Sequence, residues 1–454
     1  MRVGVTGPSG FVGGAVIAAL LRRGDSVRAL ARDPHSSRLP ADVEKVRFDV
    51  NDSTPDPQAL QGLDAIIHLA GESVDGRWTP AKKRAIFDSR VAGTRNLVAA
   101  LAALERRPSV LISASAIGFY GDRGDELLDD DSPPGSDFLA GVCVAWEREA
   151  QAAVKLGMRV ASTRTAMVLG HGGALAKLLP VFRFGIGGPL GNGRQWMPWI
   201  HIDDLVDLYC FILDNDGLRG PIVAASPDVA TNGRLMQAVG HAIARPALAP
   251  APGFALKIAL GEFADTLLGG QLIVPAKASD AGFVWRHRDL EAAVIDAVDP
   301  RSGRRPDVHS FASEQIVRAQ LDDVFAFFSD GRNLARLTPP DMHLRTPPEP
   351  VPMRKGTTID YTMRVRGFGL KWRALIVDWR PGVRFVDVQL RGPYLWWRHT
   401  HEFDRKDSGV VVRDRIDYAL PFAPLSNIAL PAVRRDIEKA FAYRRRAIEE
   451  LFAG

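Results

Sequence analysis

The sequence predicts an α/β protein of 454 residues: a doubly wound parallel sheet with a small helical appendage, followed by a separate α+β module. Three observations carry the prediction. Residues 3–23 read as an apolar strand, a glycine turn and a helix, and the alternation of strand and helix continues to about residue 242. A polar stretch punctuated by proline and glycine at 299–307 then marks a boundary. Beyond it the hydrophobic period changes to two through several strands in quick succession, closed by one long helix.

The first unit is organised around Thr6-Gly7-Pro8-Ser9-Gly10-Phe11-Val12-Gly13. Val3-Gly4-Val5 is short and apolar enough for a buried strand, and residues 15–23 are apolar at helical spacing and end at Gly24. Gly7 permits a tight turn, Gly10 lets the backbone approach a pyrophosphate with no Cβ in the way, and Gly13 allows the helix to pack closely on the strand. Phosphate charge would then rest on the helix N-terminus. A glycine triplet alone is a weak signal; the strand before it and the helix after it turn it into a dinucleotide site, here spaced GxxGxxG. Strands are expected at 26–32, 45–50, 65–70, 110–115 and 159–169, with helices at about 80–104 and 137–156. From Gly170 the pattern loosens into glycine-rich loops at 185–193, of the kind that hold substrate beyond a sheet, and then a helix at 203–213. Residues 243–298, with a helical stretch at 254–268, read as a small appendage packed on residues 1–242.

Composition narrows the class. At 46% hydrophobic and 24% charged the chain has the balance of a soluble globular protein. Its 58 basic and 53 acidic residues are interspersed, without a basic run carrying aromatics, so no nucleic-acid partner is expected. No apolar segment approaches ~20 residues, so no signal peptide or membrane span is expected and the cytoplasm is the expected location. Cys143 and Cys210 are too few for a disulfide framework or a cysteine zinc site, which fits a reducing compartment.

The second module, 308–454, opens with a strand at 309–317 and two short helices at 321–329 and 332–337. Period-two strands at 358–365, 370–380, 384–391, 395–403 and 410–420 precede a helix at 432–452. An antiparallel sheet wrapped around a long C-terminal helix is expected. Trp397, His399, His401 and Phe403 alternate and so share one strand face. Two histidines at i and i+2 can begin a metal site; with no cysteine and no third ligand evident in register, cavity lining is the preferred reading and no metal is assigned. Tyr361, Met363, Trp372 and Trp379 extend an aromatic interior of ligand size, though a plain core would use the same residues. Arg444-Arg445-Arg446 reads as the solvated face of the last helix.

With these motifs placed, residues 1 to about 298 resemble the extended and atypical short-chain dehydrogenase/reductases, Rossmann-fold proteins, and in particular the NAD-dependent epimerase/dehydratase-like family that carries its own small C-terminal domain. The carriers are TGPSGFVG from Thr6, HLAGESV from His68, SRVAGTRNL from Ser89, SASAIGFYG from Ser113, FLAGVCVAWE from Phe138, GNGRQWMPWIHIDDL from Gly191 and LGEFAD from Leu260. Residues from about 308 onward resemble, in pattern more than in motif, the START-like polyketide cyclase and lipid-transport superfamily, whose helix-grip fold encloses an apolar ligand cavity.

The resemblance implies a site residue by residue. Thr6, Gly7, Ser9, Gly10, Phe11, Val12 and Gly13 would form the cofactor turn, Asp49 would contact the adenine, and Leu69, Ala70 and Gly71 would lie under the nicotinamide-side ribose, with Arg90 beside them. An acid just past the second strand would select NAD; Arg32 stands there and suits a 2′-phosphate, so NADP is the expected cofactor, with Asp33 keeping NAD open. The usual proton donor is a tyrosine four residues before a lysine, and those positions are Cys143 and Glu147: the dyad is absent. Ser115 and Tyr120 remain as catalytic candidates, the first to bond a substrate oxygen and the second as an alternative acid, with a loop-shaping role open for Tyr120. Glu72, Arg77, Ser89, Gln195 and His201 would frame the cleft, His201 as a helix cap. Two functions are open: an NADP-dependent oxidoreductase of atypical mechanism acting on a small molecule and fused to a module for a hydrophobic ligand, or a non-catalytic nucleotide-sensing protein, as in relatives linked to cell and plastid division.

Overall fold

Apolar runs such as Val3-Gly4-Val5 and Ala65-Ile66-Ile67 are inaccessible on both faces, which only a parallel sheet covered by helices on either side provides. The computed structural model describes residues 1–36, 43–53, 55–243, 245–247, 249–298, 309–346, 353–394, 396–406, 409–420 and 428–452. It divides into two units, Met1–Arg305 and Pro306–Gly454; the expected boundary at 299–307 lies outside the described residues.

The first unit runs β1 (Arg2–Thr6), α1 (Phe11–Arg22), β2 (Ser26–Ala31), β3 (Glu44–Arg47), β4 (Ala65–His68), α2 (Pro80–Ala102), β5 (Val110–Ala116), β6 (Gly124–Leu128), α3 (Phe138–Gln151) and β7 (Arg159–Thr165). It continues through β8 (Met167–Leu169), α4 (Gly173–Arg183), β9 (Trp199–His201), α5 (Ile202–Asp214), β10 (Gly220–Ala224) and α6 (Asn232–Ala242). Seven strands form the parallel sheet in the order β10-β7-β5-β4-β1-β2-β3. The order reverses beside β1, so a crevice opens at the carboxyl ends of β1 and β4. Helix starts follow local chemistry: Thr79 caps α2 with Pro80 in its first turn, and the Asp137 carboxylate accepts from Ala140 N at 2.8 Å to open α3.

The expected strand at 159–169 is two strands, because β7 ends at Thr165 and β8 turns away to pair with β9. The appendage comprises α7 (Gly253–Leu260), α8 (Phe263–Leu268), β11 (Gln271–Ile273), α9 (Ala276–Asp280) and α10 (Leu290–Val298). The helix expected at 254–268 is broken at Gly261, whose φ of 59° a helix cannot accommodate. β11 pairs with β6, and α10 is fastened to α6 by Arg234, which reaches Asp228 and Glu291 at 2.8 Å each in a fully buried cluster. Truncating a member of such a cluster costs about 3 to 5 kcal/mol, because a buried charge is left alone.

The second unit carries β12 (His309–Val317), α11 (Leu321–Phe328), β13 (Thr358–Val365), β14 (Phe368–Arg380), β15 (Arg384–Arg391), β16 (Trp396–Lys406), β17 (Gly409–Ala419) and α12 (Leu430–Leu451). Its sheet is antiparallel throughout, ordered β12-β17-β16-β15-β14-β13. Residues 331–335 form a short 3-10 turn rather than a second α-helix. α12 buries Ile437, Phe441 and Ile448 on the sheet. Arg444 corrects the reading of the arginine triplet: it lies on that buried face, whereas Arg445 and Arg446 are exposed. Among the described residues no helix is long and apolar enough to cross a membrane.

Candidate functional site

The crevice beside β1 is floored by the glycine turn. Gly7 has φ 65°, and a Cβ there would meet the Leu69 carbonyl group at 3.0 Å. A Cβ on Gly13 would overlap the Gly7 carbonyl oxygen, so α1 can approach β1 only with glycine at that position. Gly10 differs: its Cβ would meet nothing nearer than the Gly7 oxygen at 3.3 Å, and with Ser9 it is exposed at the turn. This is an open cradle that a side chain would fill, at the N-terminus of α1, and its shape and polarity fit a pyrophosphate. Val12 packs into the core, and the Phe11 ring covers Gly170, Gly172 and Gly173, where any Cβ would crowd it.

Thr6 acts as a strut. Its hydroxyl oxygen accepts from Leu69 N at 3.0 Å and Ala70 N at 3.2 Å, so its own hydrogen goes to His68 Nδ1 at 2.8 Å. That fixes the neutral tautomer with hydrogen on Nε2, which donates to Thr94 Oγ1 at 3.0 Å. Burial pushes the His68 pKa down to about 4, so the chain is held by an uncharged ring. The loop it fixes continues under Arg90, whose Nη1 donates to Glu72 O at 2.8 Å and whose guanidinium lies 5.1 Å over the Trp146 ring. Arg90 packs against Gly71, where a Cβ would meet its Cζ at 3.4 Å, and so braces residues 69–72.

Arg32 follows β2, exposed, and makes no hydrogen bond or ion pair among the described residues. Asp33 turns its Oδ1 to His35 N at 2.9 Å, leaving the arginine as the group open to an anion. Asp49 Oδ1 accepts from the Asn51 backbone and side-chain nitrogens at 3.0 Å each, a local turn at the crevice edge.

At the end of β5 the structure brings together groups that the sequence reading kept apart. Ser115, 4% exposed, donates its hydroxyl hydrogen to Glu147 Oε1 at 2.7 Å. Glu147 is held at the same time by Arg164, Nε to Oε1 and Nη2 to Oε2 at 2.9 Å each, and the guanidinium stacks 3.4 Å from the Phe119 ring centre. Arg164 escaped the sequence reading because it comes from β7, where it stands in register with Ser115; a charged side chain inside the strand expected at 159–169 was the available signal.

Tyr120 is corrected. Its ring is fully buried, its hydroxyl donates to Asp129 O at 2.9 Å and accepts from Arg164 Nη1 at 3.1 Å, and burial raises its pKa above the usual phenol value. It offers no proton to the cleft. Burial likewise pushes the Cys143 thiol up to about 12. Gln195 and Arg77 bond carbonyls of the appendage, at Leu267 (3.2 Å) and Ile258 (3.2 Å), and Glu72 pairs with Lys82. Ser89 Oγ accepts from Glu72 N at 3.0 Å, while His201 Nδ1 accepts from Asp203 N at 3.3 Å and caps α5. A cleft of about 660 Å³ opens instead between residues 118–139 and the appendage, lined by Trp78, Asp122, Arg123, Phe138, Lys257 and Glu262 among others.

A glycine cradle at the switch point of a doubly wound sheet, with a cleft toward a small C-terminal appendage, is the arrangement of a dinucleotide-binding Rossmann protein. Residues 3–224 match the NAD dependent epimerase/dehydratase family, and residues 251–297 match a domain of unknown function, DUF1731. The chain belongs to this epimerase family. It is 38% identical over 299 residues to the chloroplastic "Epimerase family protein SDR39U1 homolog" of Arabidopsis thaliana, covering 65% of this chain and 86% of that one. With "Epimerase family protein YfhF" of Bacillus subtilis it shares 33% identity over 305 residues, 66% of this chain and 99% of that one. Among solved structures, human epimerase family protein SDR39U1 with NADPH superposes with a TM-score of 0.59 at 30% identity, over 66% of this chain and 99% of that one. A nucleoside-diphosphate sugar epimerase from Corynebacterium glutamicum superposes with a TM-score of 0.53 at 33% identity, over 66% of this chain and 58% of that one.

Proposed function

We propose that the chain is an NADP(H)-dependent oxidoreductase that acts on a small molecule without a tyrosine–lysine pair and carries a START-like pocket for an apolar ligand. The observation that carries the first part is the open Gly10 cradle, with Arg32 exposed past β2 to take a 2′-phosphate; the human relative solved with NADPH supports the same choice. When bound, the nucleotide supplies the hydride chemistry. Around it, Ser115 gives its hydrogen to Glu147, so the serine lone pairs are left to accept from the hydroxyl of the alcohol, the product when a carbonyl is reduced and the substrate in the reverse direction, and to orient it. Arg164 fixes Glu147 by two bonds and thereby fixes the serine rotamer. Tyr120 and Cys143 take no part in proton transfer, being buried and weakly acidic. In the second unit, the sheet and α12 enclose a cavity of about 370 Å³ lined by Tyr361, Met363, Trp372 and Trp397 among others, a size and character suited to a small apolar ligand; Trp379 packs instead with Phe325 and Phe385.

A screen of carbonyl compounds, quinones and enones followed by NADPH oxidation tests the reading: at least one class is reduced, and Ser115→Ala lowers its turnover. One observation favours a second reading, in which the nucleotide is held structurally by a sensing protein: Tyr120 and Cys143, the phenol and the thiol near the β5 end, are both buried. Tight NADPH binding without hydride transfer to any compound would select it.

A further inference from the structure

The histidines of β16 have a third partner that sequence spacing alone did not reveal. In register, Asp387 of β15 stands opposite His399, and Asp414 of β17 stands opposite His401. Asp414 lies behind both rings: its Oδ1 accepts from His399 Nε2 at 3.2 Å and lies 2.7 Å from His401 Nδ1 and 3.3 Å from Arg444 Nη2. With those nitrogens turned to Asp414, the other two ring nitrogens face Asp387 Oδ1, at 3.9 Å from His399 Nδ1 and 3.5 Å from His401 Nε2. The donor atoms of Asp387, His399 and His401 all lie within 4.8 Å of one another. Asp387 has no lysine or arginine partner among the described residues, and Arg444 Nη2 lies 3.4 Å from His401 Nδ1; in the tautomers that place both ring hydrogens on the Asp414 side, three lone-pair donors converge.

We propose that Asp387, His399 and His401 form a binding site for a first-row divalent transition-metal cation at the wall of the second unit's cavity. The spacing suits it: metal–ligand bonds of about 2.1 Å at tetrahedral angles place neighbouring donors about 3.4 Å apart. Two imidazoles and one carboxylate form a donor set for zinc, iron or cobalt, not for calcium or magnesium. Asp414, neutralised by Arg444, holds both rings from behind, the outer support that histidine ligands in metal sites ordinarily have. All three ligands line the cavity whereas Asp414 does not, so the remaining coordination positions open toward whatever the cavity holds. A cation there would bind an oxygen of an otherwise apolar ligand and polarise it. The inference uses the cavity of the proposed ligand module but not its ligand.

The test is titration of metal-stripped full-length protein with Co(II), read by its ligand-field absorption, and with Zn(II) in competition. One equivalent of Co(II) with nitrogen and oxygen ligands is expected in the second unit, displaced by Zn(II). Asp387→Asn and His401→Gln should each lower the affinity about 100-fold or more, with circular dichroism and melting showing that the fold persists. A second group, His201, Asp203, His287 and Asp296 in the first unit, would be untouched by these variants, so a Co(II) stoichiometry and affinity unchanged in both variants overturns the assignment. Absence of Co(II) binding overturns it too. A fluorescent fatty-acid probe is titrated alongside: binding of the probe without Co(II) refutes the metal site and leaves the pocket reading intact, and the converse separates them the other way.

Discussion

The strut of Thr6, His68 and Thr94 makes stability of the first unit depend on pH in a calculable way. His68 titrates at about 4 in the folded protein against an ordinary 6.5. Because the folded value is depressed, the unfolded chain takes up the proton first: stability is complete above about pH 6.5, declines as pH falls through the interval and levels off below about 4. At about 1.4 kcal/mol per pH unit the full loss is about 3 kcal/mol, of which about 2 kcal/mol is lost by pH 5. Other groups titrate in this range, so the comparison is with His68→Gln, whose amide can accept from Thr6 and donate to Thr94 but carries no charge. Urea unfolding at pH 7.5 and pH 5 should show the extra loss in the natural protein alone, in the transition that NADPH shifts to higher urea. An equal pH effect in both proteins, or a His68 imidazole titrating near 6.5 by NMR, would refute the hydrogen-bond assignment.

Further outcomes follow from the same geometry. Gly10→Ala should leave the fold intact and weaken nucleotide binding, whereas Gly13→Ala should lower the melting temperature as well, since its Cβ overlaps a backbone oxygen; equal melting temperatures for the two would show that α1 can withdraw freely. Glu147→Gln should destabilise the first unit by about 3 to 5 kcal/mol by leaving Arg164 buried and unpaired, and adding Arg164→Met should recover a large part of that; a double variant no better than the single one would show that the pair is not the cause. Tyr120→Phe should leave turnover on any substrate found in the screen within a few-fold, while costing about 1 to 3 kcal/mol of stability; a loss of ~100-fold would restore the tyrosine as the acid.

What could be read in advance was what local chemistry dictates. The turn at Gly7, Gly10 and Gly13 is set almost entirely by local backbone geometry, so its position and conformation were legible. Two-sided burial of the first strands and the period of two in the second module gave the sheet types. The breaks at Ala166 and Gly261 were not legible, since each is decided by where the neighbouring strand or helix must pair. The same holds for side chains: Arg164 meets Glu147, and Asp387 meets His399, only once the register of adjacent strands is set. Arg444 was misjudged because its run with Arg445 and Arg446 is polar in composition, although only one of the three faces the sheet.

On the proposed function the first unit binds NADPH, with Arg32 reading the 2′-phosphate. Calorimetric titration of the natural protein and Arg32→Ala with NADPH and NADH tests it most directly. NADPH should bind more tightly by about 1.5 to 3 kcal/mol, roughly 10- to 150-fold, and Arg32→Ala should narrow that gap with NADH affinity unchanged. Equal affinities of the natural protein for the two nucleotides would contradict the claim.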